Sequence, residues 1–140
     1  MISTPSRRRP SRSFTSEPDG FAQKSQILAE HCREVGTDYG AIVRSANVNA
    51  VLGSTEGDVE QRIGRVRDRL AGIAGEGAAD AMMSMFSAPG SAAGTAEQVI
   101  ENLIKLRDLG CDYVICYFPE AAYDRSGIEL FEREVIPALA

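Results

Sequence analysis

The run DYVICYF, from Asp112 to Phe118, constrains this chain more than any other stretch. It is apolar without alternation, the pattern of a parallel strand covered on both faces rather than one with a solvated side. Helical patterns flank it. Before it, TAEQVIENLIKLRDLG opens on a capping box formed by Thr95 and Gln98, places Val99, Leu103, Leu106 and Leu109 on one side, and stops at Gly110. After it, Ser126 and Glu129 predict a second capping box for GIELFEREVIPALA, with Ile128, Phe131, Val135 and Leu139 inward and Pro137 near the chain end. A strand set between helices calls for parallel neighbours joined by right-handed crossovers.

One such neighbour is legible upstream. AIVRSANVNAVLG, Ala41 to Gly53, is rich in β-branched residues and alternates, with Ile42, Ala46, Val48, Ala50 and Leu52 on one side and Val43, Ser45, Asn47, Asn49 and Val51 on the other. It follows a helix predicted from Pro18 to Gly36, capped by Asp19, with Phe21, Leu28, Cys32 and Val35 on one face. Between the strands, a long helix from Ser54 or Thr55 to Gly75 carries Val59, Ile63, Val66, Leu70 and Ile73 as one stripe. Met82, Met83, Met85 and Phe86 then suggest a short helix, followed by a Gly/Ser/Pro/Ala loop.

This order gives about two parallel strands and four to five helices. Two strands leave both sheet edges open and cannot cover a segment as apolar as Tyr113 to Phe118, so the local signals specify part of a larger sheet. The chain's 140 residues also fall well short of the roughly 250 of a complete (β/α)8 barrel.

Charge excludes some functions. Residues 1–17 form an Arg/Ser/Pro-rich leader with Arg7, Arg8, Arg9 and Arg12, expected to be disordered, while the body from residue 18 to 140 is acidic and offers no basic face for nucleic acid. No apolar run approaches the roughly 18 residues of a membrane span, so no membrane role is expected. Cys32, Cys111 and Cys116 lack CxxC spacing, and the single histidine, His31, lies beside Cys32 where helical side chains diverge. The expectation is three reduced cysteines in a cytoplasmic chain, with no metal site.

From Gly94 to Ala140 the wording itself becomes recognisable: GTAEQVIENLIKLRDLGCDYVICYFPEAAYDRSGIELFEREVIPALA resembles the closing segment of the luciferase-like monooxygenase family. In that family a Gly-Thr-Pro-Glu-Gln-Val pattern opens the last crossover helix, a Leu-Gly-x-Asp turn enters the eighth strand, and the final helix ends in Phe-x-x-x-Val-Ile-Pro-x-Leu. Ala96 stands here in place of the usual Pro. The stretch FAQKSQILAEHCREVGTDYGAIVRSANVNAVLG is similar to the sixth helix and seventh strand of the branch that uses the deazaflavin coenzyme F-420. The resemblance covers about residues 18 to 140.

It implies an α/β fold, the C-terminal portion of an incomplete (β/α)8 TIM barrel, from an oxidoreductase that moves hydride between coenzyme F-420, or FMN in related members, and a small organic substrate. The family's Gly-rich strand end and the strand preceding the helix at Pro18 do not occur in residues 1–17, so the leader is expected to be coding foreign to the family. Hydride transfer needs a ring held against substrate by several strand ends, so the fragment alone is expected to be inactive. No catalytic residue is assigned. Asn47 and Asn49 are the candidates for cofactor contact, because their side of the strand would face a barrel lumen. Gly94 and Thr95 at a helix start are read either as an anion site or as ordinary capping, and Glu120, Tyr123, Asp124 and Arg125, in the loop after the last strand at the catalytic rim, either as substrate contacts of a whole barrel or as a solvated loop. The rival reading is a non-catalytic interaction module whose open sheet edges pair with a second copy or with a complementary barrel fragment.

Overall fold

The structure, a computed structural model, describes Ser11–Arg12 and residues 17–140. The rest of the leader expected to be disordered lies outside the described residues. The order is β1 (Ser11–Arg12), α1 (Pro18–Val35), β2 (Arg44–Leu52), α2 (Glu56–Ala74), α3 (Glu76–Ser87), β3 (Ala92–Gly94), α4 (Ala96–Asp108), β4 (Tyr113–Tyr117) and α5 (Ser126–Leu130), which continues through a π turn (Phe131–Val135) into α6 (Ile136–Leu139). A 3-10 turn at Tyr39–Ala41 leads into β2.

The four strands among the described residues are parallel, and β2 is the partner of each of the others. Ser45 pairs with both Arg12 of β1 and Tyr113 of β4, so those strands flank opposite edges of β2. The β4 register runs on to Asn49↔Tyr117, and β3 takes the last turn of pleat, Ala50↔Ala92 to Leu52↔Gly94. Where the sequence announces about two strands, the described residues hold these two as the long ones, β2 and β4, together with the short β1 and β3. β3 consists of Ala and Gly, residues of low strand propensity, and its pairing with β2 rather than its own pattern makes it a strand. β1 holds only two residues within the leader.

The alternation of β2 distributes its side chains between two apolar clusters. Ala46, Val48, Ala50 and Leu52 join Phe21 of α1, Val99, Leu103 and Leu106 of α4, and Val135 in the main core. Val51, on the opposite face, packs with Val66 of α2 and Phe86 of α3. Ala46 and Ala50 keep the main-core face of β2 shallow, so helix side chains approach the sheet closely. Gly53 ends β2 where a Cβ would stand 2.7 Å from the Val59 backbone nitrogen, so the strand enters α2 through a contact only glycine allows.

β4 departs from its expected burial on both faces. Val114, Cys116 and Phe118 pack on the main core, whereas Tyr113, Ile115 and Tyr117 are 58%, 38% and 53% exposed. Among the described residues, nothing covers that face.

Helix ends also differ from expectation in places. Asp19 lies inside the first turn of α1, whose N-cap is Glu17, and Pro18 occupies the position where a missing N–H costs nothing. Thr55 caps α2, its side chain accepting from Asp58 N, and Gln98 Oε1 accepts from Thr95 N at 3.0 Å in the expected α4 capping box. Ser126 forms no box with Glu129: its N–H and hydroxyl instead donate to Asp124 Oδ1 at 2.9 and 2.6 Å, and Arg125 is the N-cap. Val35, Ile73 and Leu109, each the last member of its predicted stripe, are exposed. Pro137 supplies no N–H and crowds the preceding turn, and the helix widens into its π turn at Phe131–Val135 immediately before it.

Leu106 is fully buried beneath α4, whereas Leu109 sits at the rim of the same helix. Leu106→Ala should lower unfolding stability by about 2–5 kcal/mol and Leu109→Ala by roughly 0.5 kcal/mol, measured by urea titration of both variants.

Candidate functional site at the C-terminal ends of the strands

Parallel strands of an α/β barrel present their reacting groups at their C-terminal ends, where the βα loops gather. At that end of this sheet is a cavity of about 260 Å³. Asn49 of β2 forms its floor. Val66, Arg69, Leu70 and Ile73 of α2 and Met82, Met85 and Phe86 of α3 form two walls, and Pro119 and Tyr123 from the loop after β4 form the third. The helices stand there for a simple reason: Val51, the last odd-numbered side chain of β2, needs cover, and Val66 and Phe86 supply it. α2 and α3 are further tied at the surface, where Arg67 reaches Glu76 at 2.6 Å and Asp80 at 2.8 Å.

An ionic cluster fixes the loop wall. Arg62 of α2 contacts Asp58 at 3.1 Å, Glu120 at 3.4 Å and Asp124 at 3.5 Å, and donates to Ser126 Oγ at 2.8 Å. The Arg62 and Glu120 side chains are only 11% and 6% exposed, so this cluster is shielded from the screening that weakens surface pairs. Arg65 adds a second cation to Glu120 at 3.6 Å. Burial pushes the Arg62 guanidinium toward neutrality, but Asp58 and Glu120 outweigh it and hold the charge. The backbone N–H of Ser54 lowers the Asp58 carboxyl below its ordinary value, and Ser126 does the same for Asp124. Glu120 and Asp124, expected as rim groups free to meet a substrate, are thus turned into a brace between α2 and the loop. Tyr123 alone of that set joins the cavity wall, and Arg125 lies outside it.

Asn47 and Asn49 lie on the open side of β2, level with Ile115 and Tyr117 of β4. Neither is fully buried. Asn49 reaches the cavity and Asn47 stands one pleat further back, outside its lining. Thr95 borders a separate cleft of about 300 Å³ shared with Glu97, Arg133 and Glu134, and Gly94 lies outside its lining. The Thr95 N–H is already bonded to Gln98, and two carboxylates border the cleft, so it is poorly suited to an anion.

Arg69 was not among the sequence candidates. Its guanidinium carbon lies 3.9 Å from the centre of the Tyr123 ring, and its Nη1 is removed from water without a hydrogen-bond acceptor. A signal for it exists in the sequence. Arg62 and Arg69 are seven residues apart, Arg62 three after Val59 and four before Val66 and Arg69 three after Val66 and four before Ile73, so both stand beside the apolar stripe of α2.

Cys116 packs on the main core, and burial pushes its thiol up to about 11, too high for a reactive thiolate near neutrality. Among the described residues no group of three His, Cys, Asp or Glu side chains gathers at a metal-binding distance, and no helix is long and apolar enough to cross a membrane.

The two lowered carboxyls give the cluster a pH signature. Their stabilisation is present above the ordinary value of 3.8 and is lost as pH falls through their lower folded values. The urea midpoint should fall on acidification from neutrality to about pH 2, and Asp58→Asn combined with Asp124→Asn should be less stable at neutrality and lose less on the same acidification. An unchanged acid profile in that double variant would contradict the assignment.

By sequence, the chain matches no protein-family model and no curated protein. Its fold is similar to that of the coenzyme F-420-dependent tetrahydromethanopterin reductase from Methanopyrus kandleri, with a TM-score of 0.64 and 19% identity over 91% of this chain and 44% of that one. It is also similar to an F-420-dependent secondary alcohol dehydrogenase solved with an F-420–acetone adduct, with a TM-score of 0.57 and 14% identity over 89% of this chain and 47% of that one. The chain therefore spans less than half the length of either solved protein. Its fold is that of part of an α/β barrel, shared with these two F-420-dependent enzymes.

Proposed function

We propose that this chain is the C-terminal portion of a coenzyme F-420-dependent oxidoreductase barrel, contributing part of the substrate enclosure while the remaining strands supply the rest of the cofactor site. The observation that carries this reading is positional. The cavity opens at the C-terminal ends of parallel strands, where barrel enzymes do their chemistry, in a chain whose fold matches the corresponding share of two F-420-dependent enzymes. Fold likeness supports the cofactor class by analogy, with F-420 favoured over FMN because both neighbours use F-420. The substrate in this reading is a small organic molecule, and the compartment is the cytoplasm, in keeping with three unpaired cysteines.

The residues present do not by themselves fit the whole cofactor. A cavity of about 260 Å³ with one amide and one guanidinium is too small for a fused three-ring system together with an anionic tail. The open face bearing Asn47, Tyr113, Ile115 and Tyr117 offers a surface on which a planar ring can lie but no opposite wall. In this reading Asn49, which lines the cavity, hydrogen-bonds its occupant, and Asn47 contacts what lies on the open face. No catalytic step is assigned to either.

A second reading has its own observation. The exposed Tyr113, Ile115 and Tyr117 form an apolar row on one face of β4, the kind of surface that pairs with a second copy or with a complementary barrel fragment.

Two preparations separate these readings: the chain alone, and the chain joined behind the strands of the Methanopyrus reductase that it does not cover. The joined protein should quench F-420 fluorescence saturably, and the chain alone should not. A joined protein that unfolds in one cooperative urea transition yet leaves F-420 unquenched overturns the oxidoreductase reading. Tight F-420 binding by the monomeric chain overturns its status as a portion. Concentration-dependent sedimentation unaffected by F-420, with an unresponsive joined protein, selects the interaction module.

A further inference from the structure

Among the described residues, Arg69 is the one cation lining the cavity at the strand ends, and no acidic side chain lines it. Every other wall group apart from the Asn49 amide is apolar or aromatic. A guanidinium nitrogen withdrawn from water without an acceptor is costly, and the Tyr123 ring, which packs on this arginine, offers it a π face. Native proteins seldom leave such a donor unmatched unless something binds there. Arg62, seven residues away on the same helix, shows the alternative: it is neutralised by Asp58, Glu120 and Asp124.

We propose that the cavity binds a small organic carboxylate, with Arg69 taking the carboxylate and Met82, Met85 and Phe86 the apolar body. The proposal rests on the reading of this cavity as part of a substrate enclosure and names the class of molecule it takes. Guanidinium matches a carboxylate with two parallel N–H donors, and a single arginine balances one negative charge, which favours a carboxylate over a dianionic phosphate. The Asn49 amide stands on the floor to meet a second polar atom of the same ligand. Methionine side chains adapt to varied apolar shapes, so the body is recognised by size and hydrophobicity. The volume, about 260 Å³, lies just below the roughly 300–1,000 Å³ of pockets for drug-sized ligands and suits a single-ring or short-chain acid. Tyr123, 66% exposed, covers the guanidinium from the loop side and is the group that moves to admit the carboxylate.

The test is calorimetric titration of the full chain with 3-phenylpropanoate and with 3-phenylpropanamide, which differs in lacking the charge. The acid should bind at least about tenfold more tightly than the amide. Arg69→Gln should reduce the acid to the level of the amide. Met85→Glu places a resident carboxylate at a position already partly in solvent and should abolish acid binding with an unchanged urea midpoint, which separates loss of the site from loss of the fold. Equal binding of acid and amide, binding of neither, or full retention of acid binding by Arg69→Gln overturns the proposal. No F-420 enters this titration, so its failure leaves the oxidoreductase reading standing, and failure of the F-420 experiment leaves the carboxylate site standing.

Discussion

The hydrogen bonding of β2 is the constraint on which the rest of the structure depends. β1 and β4 meet its opposite edges at Ser45, β3 joins further along, and no strand pair among the described residues excludes β2. Both of its faces are committed as well. Ala46, Val48, Ala50 and Leu52 enter the main core, and Val51 anchors α2 and α3. A slip of one residue in the β2 register would carry Asn47 and Asn49 into the main core and expel the valine and leucine. Burying two amides without partners would cost several kcal/mol, on the order of 1–3 each. The polar character of the open face and the uniqueness of the register therefore have one origin.

The site follows from that strand by two steps of different physical kind. Apolar cover over Val51 brings α2 and α3 above the strand ends, a contact that fixes distance but not direction. The ionic cluster around Arg62 then supplies direction, because it binds α2 to the loop after β4 at Glu120, Asp124 and Ser126 at once. Buried ion pairs add little net stability against their desolvation, and geometrical specificity is the use they serve best. Here the geometry being specified is the wall that carries Tyr123. The same helix thus presents two arginines at heptad spacing with opposite fates. Arg62 is saturated by carboxylates and builds the wall, while Arg69 has only the Tyr123 ring and faces the space the wall encloses.

The long elements were legible in the sequence because each carries its own signal. Val59 to Leu70 mark α2, Thr95 and Gln98 mark the start of α4, and the alternation of Arg44 to Leu52 marks both faces of β2. What escaped was decided by partners rather than by local pattern. Ala92–Gly94 forms a strand only because Ala50–Leu52 is there to bond it. Ser126 gave up its predicted box because Asp124 offered its carboxylate two residues away. The apolar run of β4 announced cover on two faces, and the described chain supplies one. Of the candidate site, Asn49 was legible from strand phase, whereas Glu120 and Asp124 looked free because the arginine that binds them lies 58 and 62 residues away.

The two unsatisfied features of the structure are on the same side of the sheet. Register places Tyr113, Ile115 and Tyr117 of β4 level with Ser45, Asn47 and Asn49 of β2, so the apolar row and the two amides form one continuous face. α2 and α3 cover only its C-terminal end, and it is under that cover that Arg69 lies without an acceptor. An apolar row asks for more protein, since tyrosine and isoleucine gain nothing from a small charged ligand. An unmatched guanidinium asks for an anion, since further apolar surface would only deepen its desolvation. One face thus makes two demands that no single occupant meets: polypeptide along the strands and a small acid at their ends. In the proposed reading, a barrel wall closing over a ligand answers both, with the ligand in the cavity that Asn49 and Arg69 line.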